Sequence, residues 1–180
     1  MERLKEALIA VRLRAGEEAA FVQTYEFFGP KIYRHALFRV SSPETAEDIM
    51  HETFARAWEF ARERAAEIRS LRAFLYRIAD NLIVDHYRRN AKAALPMTEE
   101  LEATLSDGRD PLAAIDGALA RERMREALAK LREEARSLLV MRYIDELSIG
   151  EIAELTGKKK NAVYVALHRA VKELQRLCVS

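Results

Sequence analysis

Three consecutive lysines, Lys158, Lys159 and Lys160, are followed at helical intervals by Asn161, Tyr164, Val165, His168 and Arg169. Ammonium and guanidinium groups grip phosphates without regard to sequence, whereas an amide, a phenol, an imidazole and an aliphatic tip can meet base edges in a groove. A second group with the same chemistry, Arg72, Tyr76, Arg77, Asn81 and Arg88, lies inside LRAFLYRIADNLIVDHYRRN, residues 71 to 90. Rings beside cations are the parts of a surface that stacks the bases of an opened strand. Spacing alone leaves the other option open, that Tyr76, Ile83 and Tyr87 pack on the first helices. A third group, in ETAEDIMHETFARAWEF, is acidic: Glu47, Asp48 and Glu52 point away from Ile49, Phe54, Ala57 and Trp58. His51 and Glu52 begin like a zinc-protease helix, but Ala55 stands where the second histidine is required. No nucleophile, base and orienting group converge in any motif and the four histidines are scattered, so no enzyme, metal or cofactor is expected.

These groups must be positioned by helices. Gly and Pro are scarce, β-branched runs are short, and apolar residues recur at helical spacing, which predicts an all-α protein. Helices are expected near residues 2–13, 17–27, 31–40, 43–62, 71–90, 112–131, 133–144, 149–155 and 160–177. Between them, residues 91–117 carry two prolines, two glycines and an acidic excess: Glu99, Glu100, Glu102, Asp107, Asp110 and Asp116 against Lys92 and Arg109. Such a segment suits neither a core nor phosphate binding and reads as a flexible acidic linker. The expected organisation is a helical domain over 1–92, a linker over 93–117 and a second helical domain over 118–180. On the opening helix of the linker's left flank, Leu71, Phe74, Leu75, Ile78, Ala79 and Leu82 form the arc suited to burial.

Composition constrains the partners. The chain has 180 residues, a net charge of +1 and one cysteine, Cys178. Near-neutral charge means that any electrostatic signal comes from local segregation, and basic residues flank the linker on both sides. A lone thiol excludes an internal disulfide and a cysteine-based zinc site. No run approaches the roughly 18 apolar residues of a membrane span, and the amino terminus lacks an apolar signal core, so no membrane insertion and a cytoplasmic location are expected.

The most specific short pattern is LSIGEIAELTGKKKNAVYVALHRAVKEL, residues 147 to 174. Ser148 and Glu151 have capping-box spacing, Gly157 suits the left-handed position that ends a helix, and Val163, Leu167, Ala170 and Leu174 mark the apolar stripe of a longer helix. Short helix, glycine turn and longer helix make a helix-turn-helix, whose second helix enters the major groove; a plain helical hairpin is the alternative. The preceding SLLVMRYIDELS would pack Leu138, Leu139 and Met141 against the pair, with Tyr143 also in the core.

Taken together, FFGPKIYRHALFRV, AEDIMHETFARAWEF and LRAFLYRIADNLIVDHYRR resemble the successive parts of sigma region 2, and ARSLLVMRYIDELSIGEIAELTG with VYVALHRA resembles region 4. The chain is therefore identified as resembling the extracytoplasmic function sigma factors, the small two-domain branch of the bacterial sigma factor family. The resemblance implies a subunit that binds core RNA polymerase and directs transcription from promoters. It implies that the acidic helix docks on the β′ clamp helices, with Glu47, Asp48, Glu52, Phe54 and Trp58 at or behind the interface. It implies that Ala61 to Ser70 form the loop, and Arg72, Tyr76, Arg77, Asn81 and Arg88 the contacts, that recognise and open the minus 10 element. Region 4 would read the minus 35 element with its second helix and meet the β-flap. An anti-sigma factor is a further partner that the family allows.

The recognition helix departs from the family pattern. Lys159, Lys160, Asn161 and Ala162 stand where serine, a small or apolar residue, glycine and threonine are frequent, and Tyr164, Val165 and Ala166 where lysine, serine and arginine are common. A different minus 35 sequence, or a weaker dependence on one, is expected. The other readings are a helix-turn-helix regulator that does not replace the sigma subunit, which would need a sensory domain before the linker, and an interaction module, which would not need the lysines.

Overall fold

The computed structural model describes residues 2–90 and 118–179, and these are helical with short connections. The chain divides into two compact units, carried by the helices before and after residues 91–117. The acidic segment expected as a linker lies outside the described residues.

The first unit contains α1 (Glu2–Arg14), α2 (Glu18–Val40), α3 (Pro43–Arg64), a 3₁₀ turn (Ala65–Glu67) and α4 (Leu71–Asn90). α1 packs on α2 and α4, and α2 packs on α4. Arg12 clasps the α1–α2 corner, donating to Glu17 at 2.7 Å and to Gln23 at 2.9 Å. Two expected helices, 17–27 and 31–40, are one: α2 runs through Pro30. A mid-helix proline removes a backbone donor and costs about 3 kcal/mol. Phe28 and Ile32, both 0% exposed, lie on either side of it, and burying each is worth about 1.5–3 kcal/mol. The buried stripe outweighs the break.

α3 ends at Arg64, two residues beyond the expected limit, so the exposed connection to α4 is shorter than Ala61 to Ser70. Buried Ile68 pins it, and the Ser70 hydroxyl caps α4 by accepting from the Ala73 amide at 3.2 Å.

The second unit contains α5 (Ala118–Lys130), α6 (Glu133–Leu139), a wide π turn (Val140–Ile144), α7 (Ile149–Thr156) and α8 (Lys160–Val179). α8 is the central strut, with α5, α6 and α7 all packed on it. Leu138, Leu139, Met141, Ile152, Val163, Leu167 and Ala170 form the core. The π turn closes with the Asp145 amide donating to the Val140 carbonyl at 3.0 Å. Its extra residue per turn rotates Tyr143 away from the core expected for it, to 64% exposure.

Candidate nucleic-acid interface

In the second unit, sequence-local signals settle the geometry. The Ser148 hydroxyl accepts from the Glu151 amide at 3.3 Å while the Ser148 amide donates to the Glu151 carboxylate at 2.8 Å, which makes the expected capping box. Gly157 ends α7 with φ 67°, a conformation that costs an L-residue about 1–2 kcal/mol. The chain is thereby turned so that the Lys158 amide donates back to the Ala153 carbonyl at 3.1 Å and α8 starts at Lys160.

Val163, Leu167 and Ala170 face inward along α8. Every candidate contact on that helix is consequently outward, and so are the two lysines of the turn before it: Lys158, Lys159, Lys160, Asn161, Tyr164, Val165, His168 and Arg169 are all exposed, Tyr164 by 64% and Val165 by 51%. Two lysines have neighbours that spacing did not reveal. The Lys158 ammonium lies 2.6 Å from the Glu134 carboxylate of α6. The Lys160 side chain lies across Gly150, where an added Cβ would meet its Cε at 3.6 Å.

In the first unit only some of the expected contact residues are exposed. Arg77, Asn81 and Arg88, four and then seven residues apart, share one exposed arc of α4. Tyr76 is a correction, being 1% exposed with its ring edge-on to His35 at 5.1 Å. Ile83, at 0%, is also core, and Tyr87 is half-buried with its hydroxyl donating to the Arg39 carbonyl. Of the two options that spacing left open, these side chains take packing on the first helices, because α2 meets that arc through His35 and Arg39. Arg72 is half-buried and lies 6.0 Å from the Tyr76 ring.

Behind Tyr76 lies a charged group that helical spacing does not show. Arg39, 1% exposed, forms an ion pair with Asp80, and His35 is 3.9 Å from the same carboxylate. The available signal was a basic residue inside the apolar run HALFRV, since a fully buried arginine needs a carboxylate or carbonyl partner. Near the carboxy-terminal end of α4, burial and then the Arg89 charge hold the His86 imidazole below its ordinary value of 6.5.

α3 presents an acidic face. Glu47, Asp48, His51 and Glu52 are exposed, and Arg56 is paired with Glu52 at 2.7 Å, which leaves Glu47 and Asp48 as the stronger anionic edge. Phe54 is 3% exposed and Trp58 is half-buried, so both stand behind this face rather than on it. Phe54 meets Tyr25 at 4.8 Å and Trp58 meets Phe21 at 4.5 Å, which fixes the angle of α3 against α2.

Comparison with known proteins adds an independent line. The family model described as Sigma-70 region 2 matches residues 24–93, and that described as Sigma-70, region 4 matches residues 121–174. The ECF RNA polymerase sigma factor BldN of Streptomyces coelicolor is 30% identical over 92% of this chain, which spans only 63% of that relative's length. The RNA polymerase sigma factor YlaC of Bacillus subtilis is 32% identical over 84% of this chain and 88% of its own. Among solved structures, the sigma factor RpoE of Bartonella quintana, in complex with the anti-sigma factor NepR, has a TM-score of 0.71 at 21% identity, covering 87% of this chain and 95% of its own; that likeness concerns the fold.

Proposed function

Because the chain belongs to the sigma-70 family, in its extracytoplasmic function branch, we propose that it binds core RNA polymerase and directs promoter-specific initiation of transcription. The observation that carries this reading is the pairing, in one chain, of a region 2 unit and a region 4 unit that each turn a polar, cationic helix face outward. A regulator built on the helix-turn-helix alone has no use for the first.

In this reading the α3 face docks on the β′ clamp helices through Glu47 and Asp48, with Glu52 at its edge and Phe54 and Trp58 as the support that holds the helix in place. The connection after Arg64, with Arg72, Arg77, Asn81 and Arg88, recognises and opens the minus 10 element. Tyr76 supports these side chains from the core. Lys159, Lys160, Asn161, Tyr164, Val165, His168 and Arg169 meet the minus 35 element in the major groove, and the second unit touches the β-flap. Residues 93–117 act as the tether between a domain over 1–92 and another over 118–180. The protein works in the cytoplasm as a binding subunit rather than an enzyme, with an anti-sigma factor as a further partner. Among the described residues no helix is long and apolar enough to cross a membrane.

The test is transcription from genomic fragments with purified core polymerase. The chain should produce transcripts from discrete starts that core alone ignores. A requirement for another sigma subunit would overturn the reading.

A further inference from the structure

The side chain that holds Lys158 reaches it from outside the helix-turn-helix. Lys158 follows the turn glycine, and its backbone is fixed by the bond from its amide to Ala153. Its ammonium is then taken by Glu134, in the first turn of α6, at 2.6 Å. Both groups are open to water, with side-chain exposures of 38% and 67%. An exposed pair of this kind is weak and exchangeable, so an incoming anion can compete for the cation. The anion that would compete is a DNA phosphate, and a phosphate that reached Lys158 would also meet the negative charge of Glu134.

We infer that Glu134 is an intramolecular counter-charge that occupies Lys158 in place of a DNA phosphate and so holds down the sequence-independent affinity of the recognition helix. The inference rests on the reading of α8 as the DNA-contacting helix. Lys158 then differs from Lys159 and Lys160, which lie on the same edge and pair with no carboxylate among the described residues. Low affinity for arbitrary duplex leaves discrimination to the base-facing side chains Asn161, Tyr164, Val165 and His168, because phosphate contacts raise correct and incorrect sites alike. Glu134 acts through Lys158 and touches no base. It is a tuning residue.

The experiment measures binding of the full chain to a short mixed-sequence DNA duplex by fluorescence anisotropy across a potassium chloride series. Glu134→Gln should bind about two- to five-fold more tightly at low salt. Its plot of log affinity against log salt should steepen by about 0.9, the signature of one more neutralised phosphate. In a Lys158→Ala background the same change should alter neither quantity. Thermal melting controls for loss of the acidic group at the start of α6, and Glu134→Ser, which suits a helix start, serves as the second variant. Unchanged or weaker binding by Glu134→Gln, or a gain that survives without Lys158, overturns the inference while salt-dependent wild-type binding leaves the reading of α8 intact. Wild-type binding that is insensitive both to salt and to removal of Lys159 and Lys160 overturns that reading, and the inference with it.

Discussion

Arg39 of α2 and Asp80 of α4 form an ion pair in a place where the arginine is 1% exposed and the aspartate side chain 19%. His35 lies 3.5 Å from the same guanidinium, and Tyr87 donates to the Arg39 carbonyl from the next turns of α4. The pair therefore joins the two central helices of the first unit directly behind the arc that carries Arg77, Asn81 and Arg88. A buried pair adds little net stability compared with an apolar replacement, but losing one member is costly because the other charge stays enclosed.

Asp80→Ala is expected to lower the stability of the first unit by about 3 kcal/mol. The double change Arg39→Met, Asp80→Leu should cost clearly less than that single change, since no charge is then stranded. Urea titration followed by circular dichroism gives both values. Equal losses would mean that the pair is not the link between α2 and α4.

Tyr76 and Arg77 are adjacent and should behave in opposite ways. Tyr76→Ala removes a ring that is almost wholly enclosed and should cost about 3 kcal/mol or more of stability. Arg77→Ala, on the exposed arc, should leave the melting temperature nearly unchanged and weaken the opening of promoter DNA, with a shallower salt dependence. Permanganate footprinting of open complexes beside thermal melting separates the two.

On α3, reversing Glu47 and Asp48 to lysine should weaken binding to core polymerase while helix content stays constant, because both side chains are exposed. Trp58→Ala should do the reverse, costing about 2 kcal/mol as its half-buried ring and its contact with Phe21 are lost. Polymerase affinity by surface plasmon resonance, read against circular dichroism, gives the comparison. Undiminished affinity after the double reversal would remove the acidic face from the docking surface.

His86 provides a pH dependence whose sign follows from its environment. Burial and Arg89 lower its pKa in the folded protein below the 6.5 of an ordinary imidazole. The unfolded chain then binds more protons, so the contribution of this group to stability is present above pH 6.5 and is lost as pH falls through that value and below the folded one. His86→Gln should flatten the fall in the urea midpoint between neutral pH and about pH 5. The effect is small because the ring is only part-buried. An unchanged slope would remove His86 as its source.

What the residues establish by themselves is greatest in the second unit. Ser148, Glu151 and Gly157 act on backbone groups within a few residues, so they fix the ends of α7 without help from elsewhere, and the spacing of Val163, Leu167 and Ala170 then decides which side of α8 faces water. The acidic outer side of α3 was legible for the same reason. Other features depend on what a distant segment covers. Helical spacing groups Tyr76 and Ile83 on an arc but does not say whether that arc is covered, and only the packing of other helices against α4, α2 among them, puts it inside. The continuity of α2 through Pro30 is likewise decided by the core on both sides of the proline, and the exposure of Tyr143 by a wide turn that shifts the helical count. Lys158 was legible as a cation just before the longer helix of the helix-turn-helix. That it already holds a carboxylate depends on Glu134, which lies far from it in the chain and is brought within 2.6 Å only because α6 and α8 share a core. Local hydrogen bonds are written in neighbouring residues, whereas burial and long-range charge pairing exist only once helices pack.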